Sequence, residues 1–158
     1  MAKQQPIEIF MPPNILKAKM GGTGGGLDMA AVKRAEKAME NLKAEFGEWI
    51  AADVARLAEC RSAYAGNMNA ETRGDLYRAA HDLRGQALTF EFPLVARVAA
   101  SLCRLLDGHE ADLPVALIDA HVDAIRVIVK QNIKDKADKI ALTLTIELEA
   151  RVAELLKT

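Results

Sequence analysis

The chain has 158 residues, 51% of them apolar but only 4% aromatic, and a formal net charge of −1. That length suffices for one domain with a real core, and the alanine- and leucine-rich mix favours closely packed helices. The near-neutral charge excludes the broad field that draws nucleic acid or an anionic membrane, and no run reaches the ~18 apolar residues of a membrane span.

Residues 1–26 differ from everything after them. Pro6, Pro12 and Pro13 discourage a helix, and Gly21-Gly22-Thr23-Gly24-Gly25-Gly26 reads as a flexible linker, so an extended Pro/Gly-rich arm is expected. The glycine run lacks the Gly-Lys-Ser/Thr ending and the preceding strand of a phosphate loop, which argues against nucleotide binding. Ile7, Ile9, Phe10, Ile15 and Leu16 give the arm apolar residues with which to lie against the domain. Met1 to Phe10 lacks the continuous apolar stretch of a secretory leader, so a cytoplasmic location is expected.

From residue 27 to 158 a single helical domain is expected. Asp28 caps a long first helix running to about Ala65, with Val32, Ala35, Met39, Leu42, Phe46, Trp49, Ile50, Val54 and Leu57 along one broad apolar stripe. Gly47 is a point at which it bends or splits. Gly66-Asn67-Met68-Asn69 makes a turn, with Asn69 capping a second helix, and Pro93 fits the first turn of a third that stops at Asp107-Gly108. Asp112 caps a fourth, with Pro114 in its first turn and Val115, Ile118, Val122, Ile125 and Val129 inside. After a charged loop around Lys134 to Lys139, Leu142, Leu144, Ile146 and Leu148 alternate with polar residues as in a strand. Ile140, Leu144, Leu148, Val152 and Leu155 also form a helical stripe, and no second strand is available for pairing, so a fifth helix is expected. The fold class is therefore all-α: an antiparallel up-and-down four-helix bundle with an additional N-terminal helical segment and an extended arm.

The second helix carries the chemistry. Leu76, Ala80, Leu83, Ala87 and Phe90 recur at three- and four-residue spacing and form its buried stripe. At about 100° per residue, His81 points roughly 140° away from the centre of that stripe, towards water. Gly85 shares this face one turn on, and Arg84 lies on its shoulder. A glycine inside a helix costs about 1 kcal/mol relative to alanine, so it calls for a reason. An exposed imidazole, a bare backbone patch and a cation together suit an anionic group brought by another protein.

His81-x-Leu83-Arg84-Gly85-x-Ala87 followed by Phe90 resembles the signature of histidine phosphotransfer domains: His, any residue, aliphatic, Lys or Arg, Gly, any residue, small. The motif covers about ten residues, and the compatible helical architecture covers roughly residues 28 to 156. One position departs from the pattern, since the family usually carries glycine where this chain has Glu91. The resemblance implies a phosphorelay intermediate in which His81 takes a phosphoryl group from a receiver domain's aspartyl-phosphate and passes it to the aspartate of another receiver. Arg84 would then hold the phosphoryl oxygens, and Gly85 would allow the receiver to approach closely. No cofactor of its own is implied; Mg²⁺ belongs to the partner receiver, and no ATP-dependent kinase activity is expected.

Tyr77, Leu88 and Phe92 fall on roughly the same outward side as His81 by the same helical arithmetic, and Arg78 and Arg73 add positive charge. These residues form an expected docking face for receiver domains of response regulators and hybrid sensor kinases. His109 reads as a solvated turn residue and His121 as a hydrogen-bonded histidine at the core boundary. Asp119 and Asp123 flank His121 at a spacing that sends them to different sides, so no metal site is expected. Cys60 and Cys103 lack metal or redox spacing and read as buried, reduced thiols. A complete bundle within one chain makes a monomer the default. Two other functions stand beside the relay: a receiver-binding adaptor that has lost transfer because of Glu91, and a helical scaffold in which the motif is coincidental.

Overall fold

A computed structural model of the chain describes residues 28–108 and 113–157, and they form five helices with no strand among them. These are α1 (Met29–Gly66), α2 (Ala70–Thr89), α3 (Pro93–Gly108), α4 (Val115–Lys130) and α5 (Lys139–Leu155). The arm expected over residues 1–26, His109 and the Asp112 cap lie outside the described residues. By its contacts the chain divides into two units, Met1–Ala38 and Met39–Thr158. In the first, Asp28 accepts a hydrogen bond from the Ala30 amide at 3.0 Å and starts α1.

The second unit is organised around α3, which packs against α2, α4 and α5, while α4 also meets α5. Its sequence explains that position. Leu94, Val95, Val98, Ala99, Leu102, Leu105 and Leu106 give it a broad apolar face, with only a narrow outer stripe at Arg97, Ala100, Arg104 and Asp107, and a helix with so wide an apolar face belongs at the centre of a core. Leu76 and Leu83 of α2, with Ile118, Ile125 and Ile128 of α4, are among the largest fully buried side chains of the core. Pro93 opens α3 as its first residue, where the missing amide proton costs nothing.

The helix boundaries follow local chemistry. Asn69 caps α2 through a reciprocal box: the Thr72 amide donates to Asn69 Oδ1 at 2.9 Å, and the Asn69 amide donates to Thr72 Oγ1 at 3.3 Å. Pro114 sits at the N-cap of α4, one position before the turn expected to hold it. Asp138 caps α5 by accepting from the Ala141 amide at 2.9 Å.

Two apolar stripes differ from the sequence expectation. In α1 the buried positions are Ile50, Val54, Leu57 and Tyr64, all in its C-terminal half; Met39, Leu42 and Trp49 are exposed. The helix continues through Gly47 without a break. In α5 the core-facing row is Ala141, Thr145, Leu148 and Val152, leaving Ile140 and Leu144 outside. Small residues set that phase: Thr145 hides its hydroxyl by donating to the Ala141 carbonyl at 2.7 Å, so it packs almost as an apolar group.

Candidate functional site

The site is built on the outer face of α2. Leu76, Ala79, Ala80, Leu83 and Ala87 are buried against α3 and fix the rotation of the helix. That rotation leaves His81 in solvent, with 60% of its side chain exposed. Arg84 and Gly85 are exposed one turn further, and Leu88, two turns on, is 63% exposed despite being apolar. Arg84 forms no ion pair among the described residues, so its guanidinium is available to an incoming anion.

Gly85, like Gly47 in α1, is a position that the described packing does not require, and of the two it is the one beside the exposed His81. A Cβ placed there would meet nothing within 4 Å, and no unusual backbone angle is involved. The contrast is Gly108, where a Cβ would collide with the side chain of Leu156. At Gly108 an added Cβ makes the Leu156 side chain shift; Gly85 is a cost to α2 with no return among the described residues.

Two neighbours condition the imidazole. The Tyr77 ring lies nearly parallel to it with centroids 6.1 Å apart. Asp82 Oδ1 lies 3.9 Å from His81 Nδ1, while Asp82 Oδ2 accepts a hydrogen bond from Arg56 Nη1 of α1 at 3.2 Å. A carboxylate on the Nδ1 side of the ring favours the proton on that nitrogen, which leaves the lone pair on Nε2. Arg56 belongs to this arrangement but was not legible in the sequence, because its pairing is a tertiary contact across 26 residues. Beside it, Asp53 has a buried oxygen without a hydrogen-bond partner, and burial first, then the nearby Asp82 carboxylate, pushes its pKa up against the opposing pull of Arg56.

The expected docking face is only partly assembled. Tyr77 is half-buried, and Arg78 is exposed and paired with Asp75. Phe92 does not belong there: it is 4% exposed, in the core, with Lys134 Nζ 5.2 Å above its ring. The helical extrapolation fails because α2 ends at Thr89, and the chain turns before residue 92. Arg73 likewise turns inward, its Nε donating to the Leu106 carbonyl near the end of α3 at 2.7 Å, so it helps to cap that helix. Lys136 joins Arg84 on the rim of an open groove lined by Leu88, Pro93 and Leu94; Arg97 lies there too, but its guanidinium is held by Glu149, with Nε 3.0 Å from Oε1 and Nη2 2.6 Å from Oε2.

Glu91 has a backbone explanation. Its φ is 63°, in the left-handed region that favours glycine. The Glu91 amide donates to the Leu88 carbonyl at 3.1 Å and the Phe92 amide to the Ala87 carbonyl at 2.7 Å, the two bonds of a Schellman C-cap. Its carboxylate is exposed and lies 3.7 Å from Lys134 Nζ.

The other chemically capable residues are structural. His121 is fully buried, deeper than the boundary position expected, with Nδ1 2.7 Å from the Leu117 carbonyl and Nε2 2.9 Å from Ser101 Oγ. Burial holds its pKa below the usual histidine range, so it donates from Nδ1 to Leu117 and accepts from Ser101. Both cysteines are free thiols; Cys103 is buried, which pushes its pKa up to about 11, whereas Cys60 is half-buried rather than buried. No group of residues suited to a metal ion occurs among the described residues, and none of their helices is long and apolar enough to cross a membrane.

Residues 33–156 match the family described as Hpt domain. Neither the curated proteins nor the solved structures gave a match.

Proposed function

The chain belongs to the Hpt domain family, whose members carry out histidine phosphotransfer in phosphorelays and interact with receiver domains, and from that premise we propose that His81 is its phosphoacceptor. In this reading His81 Nε2 attacks the phosphorus of a receiver's aspartyl-phosphate. The N–P bond forms as the P–O bond to the aspartate breaks, and the carboxylate leaves with the electron pair. The reverse reaction on a second receiver discharges the phosphoramidate. Asp82 keeps the Nδ1 proton in place and offsets the positive charge that develops on the ring. Arg84 binds the equatorial phosphoryl oxygens by charge-assisted hydrogen bonds. The metal ion and acidic pocket are the receiver's, so this chain supplies the nucleophile, one cation and a surface for docking.

The observation that carries the reading is Gly85: a helix-weakening residue beside an exposed histidine, with open space where its side chain would be. Next to the exposed His81, an approaching receiver gives that space a use. Tyr77, Arg78 and Leu88 complete the docking face, and the receivers belong to response regulators and hybrid sensor kinases. The rigid mount is an antiparallel up-and-down four-helix bundle with an additional N-terminal helical segment, a reading supported by the packing of α3 against α2, α4 and α5.

The adaptor alternative rested on repulsion by Glu91. That residue lies past the end of α2, ten positions beyond His81, and its carboxylate faces Lys134. Exposed to solvent and paired with a lysine, that charge has little reach. The test is incubation with a receiver carrying labelled aspartyl-phosphate. Acid-labile, base-stable label is expected on the wild type and not on His81→Gln. Receiver binding without label identifies the adaptor, and neither binding nor label identifies a scaffold.

A further inference from the structure

The N-terminal half of α1 carries a pattern that the fold uses only in part, at Phe46 and Trp49. Val32, Ala35, Met39, Leu42, Phe46 and Trp49 alternate spacings of three and four, the a/d seam of a heptad repeat. The core-facing row starts on a different phase, at Ile50. Met39, Leu42 and Trp49 remain 58%, 47% and 52% exposed; Phe46 is half-buried, and both it and Trp49 lean one side on Phe90, at 5.3 and 6.4 Å between centroids. A broad apolar face would serve any neighbour, whereas a narrow a/d seam is the form that a second helix packs against.

We propose that this seam pairs with the same seam of a second copy of the chain, as an antiparallel two-helix dimer. The sequence selects one register. With Met39 opposite Leu42 of the other chain, Ala35 falls opposite Phe46 and Val32 opposite Trp49, so each aromatic ring meets a smaller residue and the layers fill evenly. In that register the flanking e positions place Glu36 against Lys43, twice by symmetry, while the g positions pair Ala38 with Glu45. Sliding one heptad either way sets Lys43 on Lys43 and Glu45 on Glu45, or Glu36 on Glu36. A parallel pair stacks Trp49 on Trp49 and Ala35 on Ala35 and makes no Glu–Lys contact. Charge and volume thus agree on one arrangement, in contrast to the monomer expected from sequence. The seam spans about two and a half heptads, short for a coiled coil, so the dimer is concentration-dependent.

The test is sedimentation of the intact chain over a range of concentrations, with three charge variants. Glu36→Lys and Lys43→Glu are surface changes that leave the helical circular dichroism unchanged. Each turns two attractive pairs into two repulsive ones and is expected to weaken dimerisation about tenfold. Mixing the two single variants restores it as a heterodimer, and the double variant restores the homodimer. A wild-type monomer at the highest soluble concentration overturns the proposal, including the case in which residues before Asp28 cover the seam. A dimer indifferent to all three variants overturns it as well.

Discussion

At the residue scale the decisive contrast is between His81 and His121. Both are histidines on long amphipathic helices, but one is exposed on the outer face of α2 and the other has both ring nitrogens engaged in the core. A neutral imidazole with a free lone pair is a nucleophile, whereas one that is donating and accepting internally is a structural group. Gly85 sharpens the assignment because its two effects separate. Gly85→Ala is expected to stabilise the domain by about 0.5–1 kcal/mol, since alanine is the better helix former and the space is open. The same methyl group intrudes on the approaching receiver, so phosphotransfer should slow at least tenfold. Thermal unfolding and a single-turnover transfer assay on one preparation check both signs. A variant that is stabilised and fully active would remove the close-approach role. This residue was readable from sequence because a helical glycine is costly; the Arg56–Asp82 pair beside it was not, because nothing local links α1 to α2.

At the element scale, the way a helix ends decides which side chains it can present. α2 terminates in a Schellman turn with Glu91 in the left-handed conformation, and that turn sends Phe92 into the core instead of along the outward face. Extending the 100° period past Thr89 therefore placed Phe92 wrongly, while Leu88, still inside the helix, is exposed as expected. A non-glycine residue in that conformation costs about 1 kcal/mol. Glu91→Gly is expected to raise the unfolding free energy by roughly that amount, less the small contribution of the exposed Lys134 pair. Denaturant titration checks it, and transfer rates should not change if the carboxylate is remote from the phosphoryl group. The period also misled in α1 and α5. Apolar residues with helical spacing show that a helix has a face; they do not show what covers it, and in α1 two phases share one helix.

At the scale of the whole molecule, stability depends on α3 and on the polar pair buried against it. Ser101 of α3 and His121 of α4 satisfy each other where neither could reach water. Because burial lowers the folded pKa of His121 below its ordinary 6.5, the unfolded chain takes up a proton that the folded chain resists. Stability should thus be full above about pH 6.5 and decline as the pH falls below it, until the folded value is passed. Denaturation midpoints between pH 8 and 5 (roughly the window in which histidine titrates) are expected to fall, and His121→Gln should flatten that slope while lowering stability at neutral pH. An unchanged slope in the variant would assign the acid sensitivity to other groups.

The sequence by itself determined the helices, the caps at Asp28 and Asn69, and the motif around His81, because these depend on interactions within a turn or two of helix. Only the tertiary structure decided which half of α1 is buried, where Phe92 points, and that Arg56 stands behind Asp82. Those are questions of what lies opposite a surface, and a periodic pattern records the presence of a face without recording its partner. The strongest single clue needed both. The sequence showed that Gly85 weakens α2, and the three-dimensional packing showed that nothing among the described residues requires it.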